Sequence, residues 1–154
     1  IDTAEMDGDS YVDIVIGTKT GNNAGGIELW RGTGSGFYKA DEAPADGAVL
    51  CVDLGPIDID DNYPDVVAGN GSQTVQAWFV TRGSGDSALL PSYESWGDAN
   101  AGGEVHAVEL AKLEVGSATW GDDPLYDLVI GTEVSATTGE IVIYMNPYVW
   151  TLQQ

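Results

Sequence analysis

Residues 5–17 of the chain read EMDGDSYVDIVIG, an acidic turn followed at once by a β-branched run and a glycine. Residues 58–69 read DIDDNYPDVVAG and repeat the same order of features. Carboxylates crowded into a turn repel one another unless water, salt or a cation lies among their oxygens. Calcium suits such a turn, because it is a hard ion that takes roughly six to eight oxygen ligands in irregular geometry. The two stretches therefore predict a repeated fold with calcium-binding turns.

Three units of the chain share one pattern of apolar runs. A β-branched run directly after an aspartate begins at Asp13, Asp65 and Asp127. Turn-forming residues and a second apolar run follow each one, which predicts a β-hairpin. These second runs cover residues 27–30, 75–80 and 141–144.

Two further runs complete the unit. An apolar run precedes the second and third hairpins, at residues 48–54 and 105–113. A weaker run closes each unit, near residues 37–38, 88–90 and 148–152. Residues 107–115 have a helix-favouring composition, but their place in the repeat favours a strand. About four strands in roughly 50 to 60 residues, joined by hairpins, are typical of a β-propeller blade.

The predicted fold is all-β, a single domain of about three four-stranded antiparallel blades at residues 1–46, 47–103 and 104–154. The first blade is truncated, because only four residues precede its acidic turn, where an inner strand is expected. Propellers usually have about four to eight blades, so three blades leave apolar faces open. We expect the chain to be a segment of a larger propeller, or copies of it to assemble.

Residues 5–17, together with GGIELWRGTGSGF at residues 25–37, resemble the FG-GAP/VCBS repeat family. Repeats of that family form blades of calcium-binding propellers, like the head of integrin α chains, and occur in secreted and cell-surface proteins. Their loop aspartates and one backbone carbonyl hold the ion. In the first turn the resemblance implies ligation by Glu5, Asp7, Asp9, Asp13 and the carbonyl of Tyr11.

The second turn departs from the family pattern by one missing glycine. The ligands implied there are Asp58, Asp60, Asp61 and Asp65. Strict alternation would use Asn62 in place of Asp61. The third unit lacks alternating carboxylates, so the assignment of metal ends with the second turn. A simpler interpretation stays open for both turns, in which Asp and Gly merely populate hairpin turns.

The charge of the chain restricts its partners. Its 25 acidic and five basic residues give a formal net charge of −20. Such a chain repels nucleic acid and anionic membrane surfaces, so we expect neither as a partner. Its apolar runs are too short to span a membrane, so membrane insertion is not expected. Cations are its natural partners.

Residues for catalysis receive little support from the sequence. His106 is the only histidine and lies in a predicted strand, where a structural role is the default. Cys51 is the only cysteine and lies in an apolar run, as a small buried hydrophobe does. Trp30 and Trp78 stand at the same place in two units, which indicates packing between blades. The chain is therefore expected not to be an enzyme.

The sequence favours a non-catalytic, calcium-binding module at the cell surface or outside the cell, for adhesion, recognition or scaffolding. Trp96 and Trp120 lie in loops rich in Gly and Asp and are candidates for contact with a protein or carbohydrate ligand. One alternative is a structural subunit whose open blade edges join into a ring or filament. Another is the propeller part of a polysaccharide-acting enzyme.

Overall fold

The computed structural model describes residues 1–21, 23–57, 63–82, 87–91, 103–113 and 126–144. Within these residues the chain forms eleven β-strands in three antiparallel sheets, and no helix occurs among them. The predicted all-β class is confirmed, and each predicted unit supplies one sheet. The arrangement of the sheets as propeller blades stays a prediction.

Each sheet is a meander in which strands that follow one another along the chain are paired. Sheet I contains β1 (Asp2–Ala4), β2 (Asp13–Lys19), β3 (Gly25–Gly32) and β4 (Phe37–Ala45). Sheet II contains β5 (Val49–Gly55), β6 (Asp65–Asn70), β7 (Val75–Arg82) and β8 (Ser87–Pro91). Sheet III contains β9 (Glu104–Ala111), β10 (Asp127–Ser135) and β11 (Thr138–Tyr144).

The strands predicted from the repeat are confirmed where the structure describes the chain. Within the ambiguous segment 107–115, residues 107–111 belong to strand β9, and residues 114 and 115 lie outside the described residues. Strand β1 has three residues, against seven in β5. The run predicted at residues 148–152 lies outside the described residues.

The three sheets share one register, so that positions can be compared between them. The central strands begin at Asp13, Asp65 and Asp127. Two residues further along each of these strands stands a valine, and it pairs with an acidic residue of the first strand. These acidic residues are Asp2, Asp53 and Glu109. Residues of the central strands up to the fourth after Asp13, Asp65 and Asp127 can therefore be matched by counting, and so can the residues that pair with them.

Sheet II packs on both of its neighbours, because strand residues alternate between two faces. One face meets sheet I in a buried cluster that includes Leu29 and Trp78. The opposite face meets sheet III in a second cluster, which includes Val67 and Leu128. Strand β6 lies between the two clusters and is buried along its whole length. The core therefore consists of two layers of apolar side chains, one on each side of sheet II.

Hydrogen bonds between first strands also join the sheets. The Oδ2 atom of Asp2 accepts the Leu54 N–H at 3.1 Å, and Oδ2 of Asp53 accepts the Leu110 N–H at 2.5 Å. Burial raises the pKa of Asp53, and the carboxyl groups of Asp2 and Glu109 raise it further, while the Leu110 and Leu54 N–H groups lower it. The same contact thus occurs at both sheet interfaces.

Candidate metal centre

The acidic turn before β2 is curled around the side chain of Glu5. Gly8 and Ser10 have φ angles of +83° and +74°, which place two residues of the turn in the left-handed region. The chain reverses there, and Glu5 Oε1 accepts N–H groups from Asp7 at 3.0 Å, from Gly8 and from Asp9 at 3.2 Å. The turn is therefore organised by backbone donors that converge on one carboxylate.

Asp13 closes the other side of the turn and is completely buried. Its Oδ2 atom accepts the Met6 N–H at 3.0 Å, and its Oδ1 atom accepts the Gly32 N–H at 2.9 Å. Burial raises the pKa of this carboxyl group, the Gly32 and Met6 N–H groups lower it, and nearby Asp7 raises it. Asp13 thus ties the acidic turn to the end of strand β3.

Three of the predicted ligands come together. Carboxylate oxygens of Glu5, Asp7 and Asp13 lie within 4.8 Å of one another. The donors are all oxygen atoms, which suits a hard cation such as Ca²⁺. A carboxylate has about four lone-pair sites, so the backbone hydrogen bonds leave acceptor capacity for an ion. These residues therefore fit a calcium ion by their donor chemistry.

Asp9 and Tyr11 lie at the edge of this group. Oδ1 of Asp9 accepts the Tyr11 N–H at 2.7 Å, and the Asp9 carboxylate is not among the three that converge. The ring of Tyr11 lies against Gly34, where an added Cβ would come within 2.5 Å of it. The alternating acidic residues predicted Asp9 as a ligand, but its carboxylate is not part of the cluster of three.

Arg31 adds a cation to the cluster. Its guanidinium donates a hydrogen bond from Nη1 to Oδ2 of Asp7 and forms an ion pair with it. Arg31 is only 5% exposed. Three carboxylates and one guanidinium leave a formal charge of −2, which one divalent ion would neutralise. Sequence reasoning missed Arg31; the available signal was a lone arginine in the motif that carries the family resemblance.

Asp65 occupies the place of Asp13 in sheet II. It is buried, and its two oxygens accept N–H groups from Ile57 at 3.1 Å and Val80 at 3.0 Å. The other predicted ligands of the second turn, Asp58, Asp60 and Asp61, lie outside the described residues. The structure therefore describes one member of the second ligand set, and that aspartate links Ile57 to strand β7.

Asp127 provides the same brace in sheet III. It is buried, and its Oδ2 atom accepts the Leu113 N–H at 3.1 Å. The third unit has no alternating carboxylates before this aspartate. The aspartate at this position is thus structural in a unit to which no metal is assigned. Its recurrence in all three units was the sequence signal for this role.

Two further side chains were considered for chemistry. His106 is exposed on β9, with Nε2 at 3.4 Å from carboxylates of both Glu104 and Glu133. Cys51 is half-buried between sheets II and III, and burial raises the pKa of its thiol. A raised pKa makes the thiolate scarce near neutral pH, so Cys51 is a poor nucleophile. The tryptophans 96 and 120, predicted to contact a ligand, lie outside the described residues.

The chain matches no protein-family model, and no match was found among curated proteins or solved structures. Among the residues that the structure describes, none forms a helix long and apolar enough to cross a membrane. Function is therefore inferred from the residues and the geometry of the site.

Proposed function

We propose that the chain is a non-catalytic, calcium-binding β-propeller module for adhesion, recognition or scaffolding. The observation that carries the proposal is the convergence of Glu5, Asp7 and Asp13 within 4.8 Å, in a turn curled by backbone donors. A bound Ca²⁺ would neutralise the turn and hold it in one conformation. The ion's contribution is to stability, because binding free energy at a site absent from the unfolded chain adds to folding free energy.

The propeller arrangement is supported by three consecutive meanders that pack through two opposite faces of sheet II. A propeller repeats such sheets around an axis, with each sheet facing the next. The hydrogen bonds from Asp2 to sheet II and from Asp53 to sheet III repeat the same contact, as a rotational array requires. The partner surface is then formed by loops, which are the usual carriers of binding residues on a rigid scaffold.

We assign the module to the cell surface or the extracellular space. Calcium-binding modules outside cells have dissociation constants of about 10⁻⁴–10⁻³ M, which match a loop with few protein ligands. A charge of −20 favours solubility and repels polyanions. The ligand proposed for the assembled surface is a protein or a carbohydrate.

The test is thermal unfolding of the 154-residue chain in EDTA, in calcium and in magnesium at equal ionic strength. Calcium at about 100 times its dissociation constant adds about 2.7 kcal/mol of stability. For a chain of this size that corresponds to a rise in Tm of roughly 5–10 °C. Asp7→Asn removes one converging carboxylate and is expected to lose most of this rise.

The matched control is Asp46→Asn, which removes the same charge at an exposed residue far along the chain. It is expected to keep the full response to calcium. The proposal is contradicted if the parent chain has equal Tm values in EDTA and in calcium. It is also contradicted if calcium raises the Tm of the Asp7→Asn variant as much as that of the parent chain. Magnesium is expected to act weakly, because it demands near-octahedral geometry and gives up its water reluctantly.

A further inference from the structure

A glycine at one repeat position makes room for the next sheet. A Cβ added to Gly17 of sheet I would lie 2.3 Å from Cγ1 of Val49 in sheet II. At the equivalent Gly69 of sheet II, a Cβ would lie 2.3 Å from Cγ1 of Val105 in sheet III. Both distances are far below van der Waals contact, so no side chain fits at either glycine. The absence of a side chain at this position thus allows a valine of the next sheet to pack there.

Sheet III has the same glycine, and no described residue of another sheet lies against it. Gly131 is equivalent to Gly17 and Gly69, and among the described residues a Cβ there would meet Ala107 of its own sheet, at 3.3 Å. Ile141 is equivalent to Ile27 of sheet I, and the two are 78% and 1% exposed. The outer face of sheet III therefore has the residues of an interface, and no part of the chain that the structure describes packs on it.

The adjacent polar contact is repeated too. Glu109 stands at the position of Asp2 and Asp53, the two carboxylates that accept an N–H from the first strand of the next sheet. Glu109 is exposed. The outer face of sheet III thus presents an apolar patch (Gly131, Ile141 and Ile143) beside an acceptor for a backbone N–H, as the two internal interfaces do.

Sheet I presents the complementary surface on its own outer face. Ile14, Ile16 and Trp30 are partly exposed there. Their equivalents in sheet II face sheet I and include Val66, with no exposed area, and Trp78, 1% exposed. Among the described sheets, the outer face of sheet I therefore corresponds to the faces by which sheets II and III dock, and the outer face of sheet III corresponds to the faces that receive them.

We propose that the outer face of sheet III binds the outer face of sheet I of a second copy of this chain. Ile1 of the second copy, 76% exposed, is equivalent to Val52, whose Cγ1 lies 3.2 Å from the Cβ position of Gly17. Ile1 is thus placed to cover Gly131. The contact is head to tail, so two copies close a ring of six sheets, within the usual range of about four to eight, or copies continue as a filament.

The two surfaces are identified because their residues are equivalent to those of the two interfaces inside the chain. This inference does not depend on calcium. The short β1, with three residues against seven in β5, makes the new contact smaller than the internal ones. A net charge of −20 on each copy opposes association. Association is therefore expected to strengthen with salt, because roughly 0.5 M NaCl shortens the Debye length to about 4 Å.

The test is sedimentation of the full chain over a range of concentrations in roughly 0.5 M NaCl. The expected mass rises with concentration from 16.2 kDa to at least twice that value. Ile141→Glu and Ile16→Glu each place a charge in one of the two faces and are expected to stay monomeric. Val134→Glu adds the same charge at an exposed residue that alternates to the other side of β10, and it is expected to associate like the parent chain.

Mixing the two face variants tests the pairing of the two faces directly. Ile141→Glu keeps an intact face on sheet I and Ile16→Glu keeps one on sheet III, so an equal mixture of the two monomers is expected to double in mass. Gly131→Val and Ile1→Glu are second variants of the two faces, and melting curves confirm that each variant is folded. A parent chain that is monomeric at every concentration, or a mixture that does not associate, overturns the proposal and leaves the face to another occupant.

Discussion

Replacing Asp65 by alanine removes both oxygens that link Ile57 to Val80 of strand β7. The Ile57 and Val80 N–H groups, at 3.1 and 3.0 Å from these oxygens, would lose this acceptor in a buried site. A buried donor left unsatisfied costs about 1–3 kcal/mol, so two cost about 2–6 kcal/mol. Asp65→Asn keeps one oxygen and turns an amide donor towards the other N–H. We expect it to cost about half as much.

The assay is urea unfolding in EDTA, which removes any contribution from bound metal. The control is Asp46→Ala, which deletes an exposed carboxylate and is expected to change the free energy of unfolding by less than about 0.5 kcal/mol. The same measurement in calcium separates the brace from a ligand role, because a purely structural loss is equal in both buffers. A loss below about 0.5 kcal/mol for Asp65→Ala would refute the reasoning.

Three other substitutions test the interfaces and the charges. Gly69→Val forces a side chain against Val105 and is expected to cost about 1–3 kcal/mol in urea unfolding. Gly131→Val, where the added Cβ would lie 3.3 Å from Ala107, is expected to cost less, and equal losses would contradict this. The pKa of Asp53 is raised in the folded state, so its contribution to stability is present at acid pH and is lost as the pH rises through that pKa. Asp53→Asn is therefore expected to raise Tm near pH 7 more than near pH 4, and a pH-independent difference would count against it. Arg31→Met leaves the partly buried Asp7 carboxylate without this ion pair, so it is expected to lower the free energy of unfolding in EDTA by about 1–3 kcal/mol. It is also expected to tighten calcium binding about tenfold by calorimetry, and weaker binding would speak against a cation site here.

The all-β class and the order of the strands could be predicted from the sequence, because the pattern that indicates them is repeated. An aspartate before a β-branched run recurs with the same following hairpin, and a repeat overrides weak local propensity. This is why the strand prediction is correct for residues 107–111, although the segment 107–115 is helix-favouring by composition. Trp78 is buried as predicted, while Trp30, at the same repeat position, is partly exposed because sheet II does not cover that face of sheet I.

The candidate site was accessible only in part. Glu5, Asp7 and Asp13 converge, and they are close in sequence, so alternation along the chain indicated them. Arg31 reaches the same cluster from 24 residues away, and no local pattern encodes such a contact. The role of Asp13 as a brace was hidden because a carboxylate in an acidic turn suggests a metal ligand before it suggests a backbone acceptor.

His106 shows a similar limit of local reasoning. An apolar run predicted a strand, and the strand is present, but it did not indicate which face of the strand meets a neighbouring sheet. The side chain lies on an exposed part of β9, between Glu104 and Glu133. Exposure depends on which sheets pack together, and a single strand's sequence carries little of that information.

The most direct test of the calcium proposal is a crystal structure of the chain grown with calcium. We predict an ion in the first acidic turn, bound by carboxylate oxygens of Glu5, Asp7 and Asp13 at about 2.3–2.6 Å. The contradictory result is a well-ordered turn without an ion at saturating calcium, in which Arg31 and the backbone N–H groups alone contact these carboxylates.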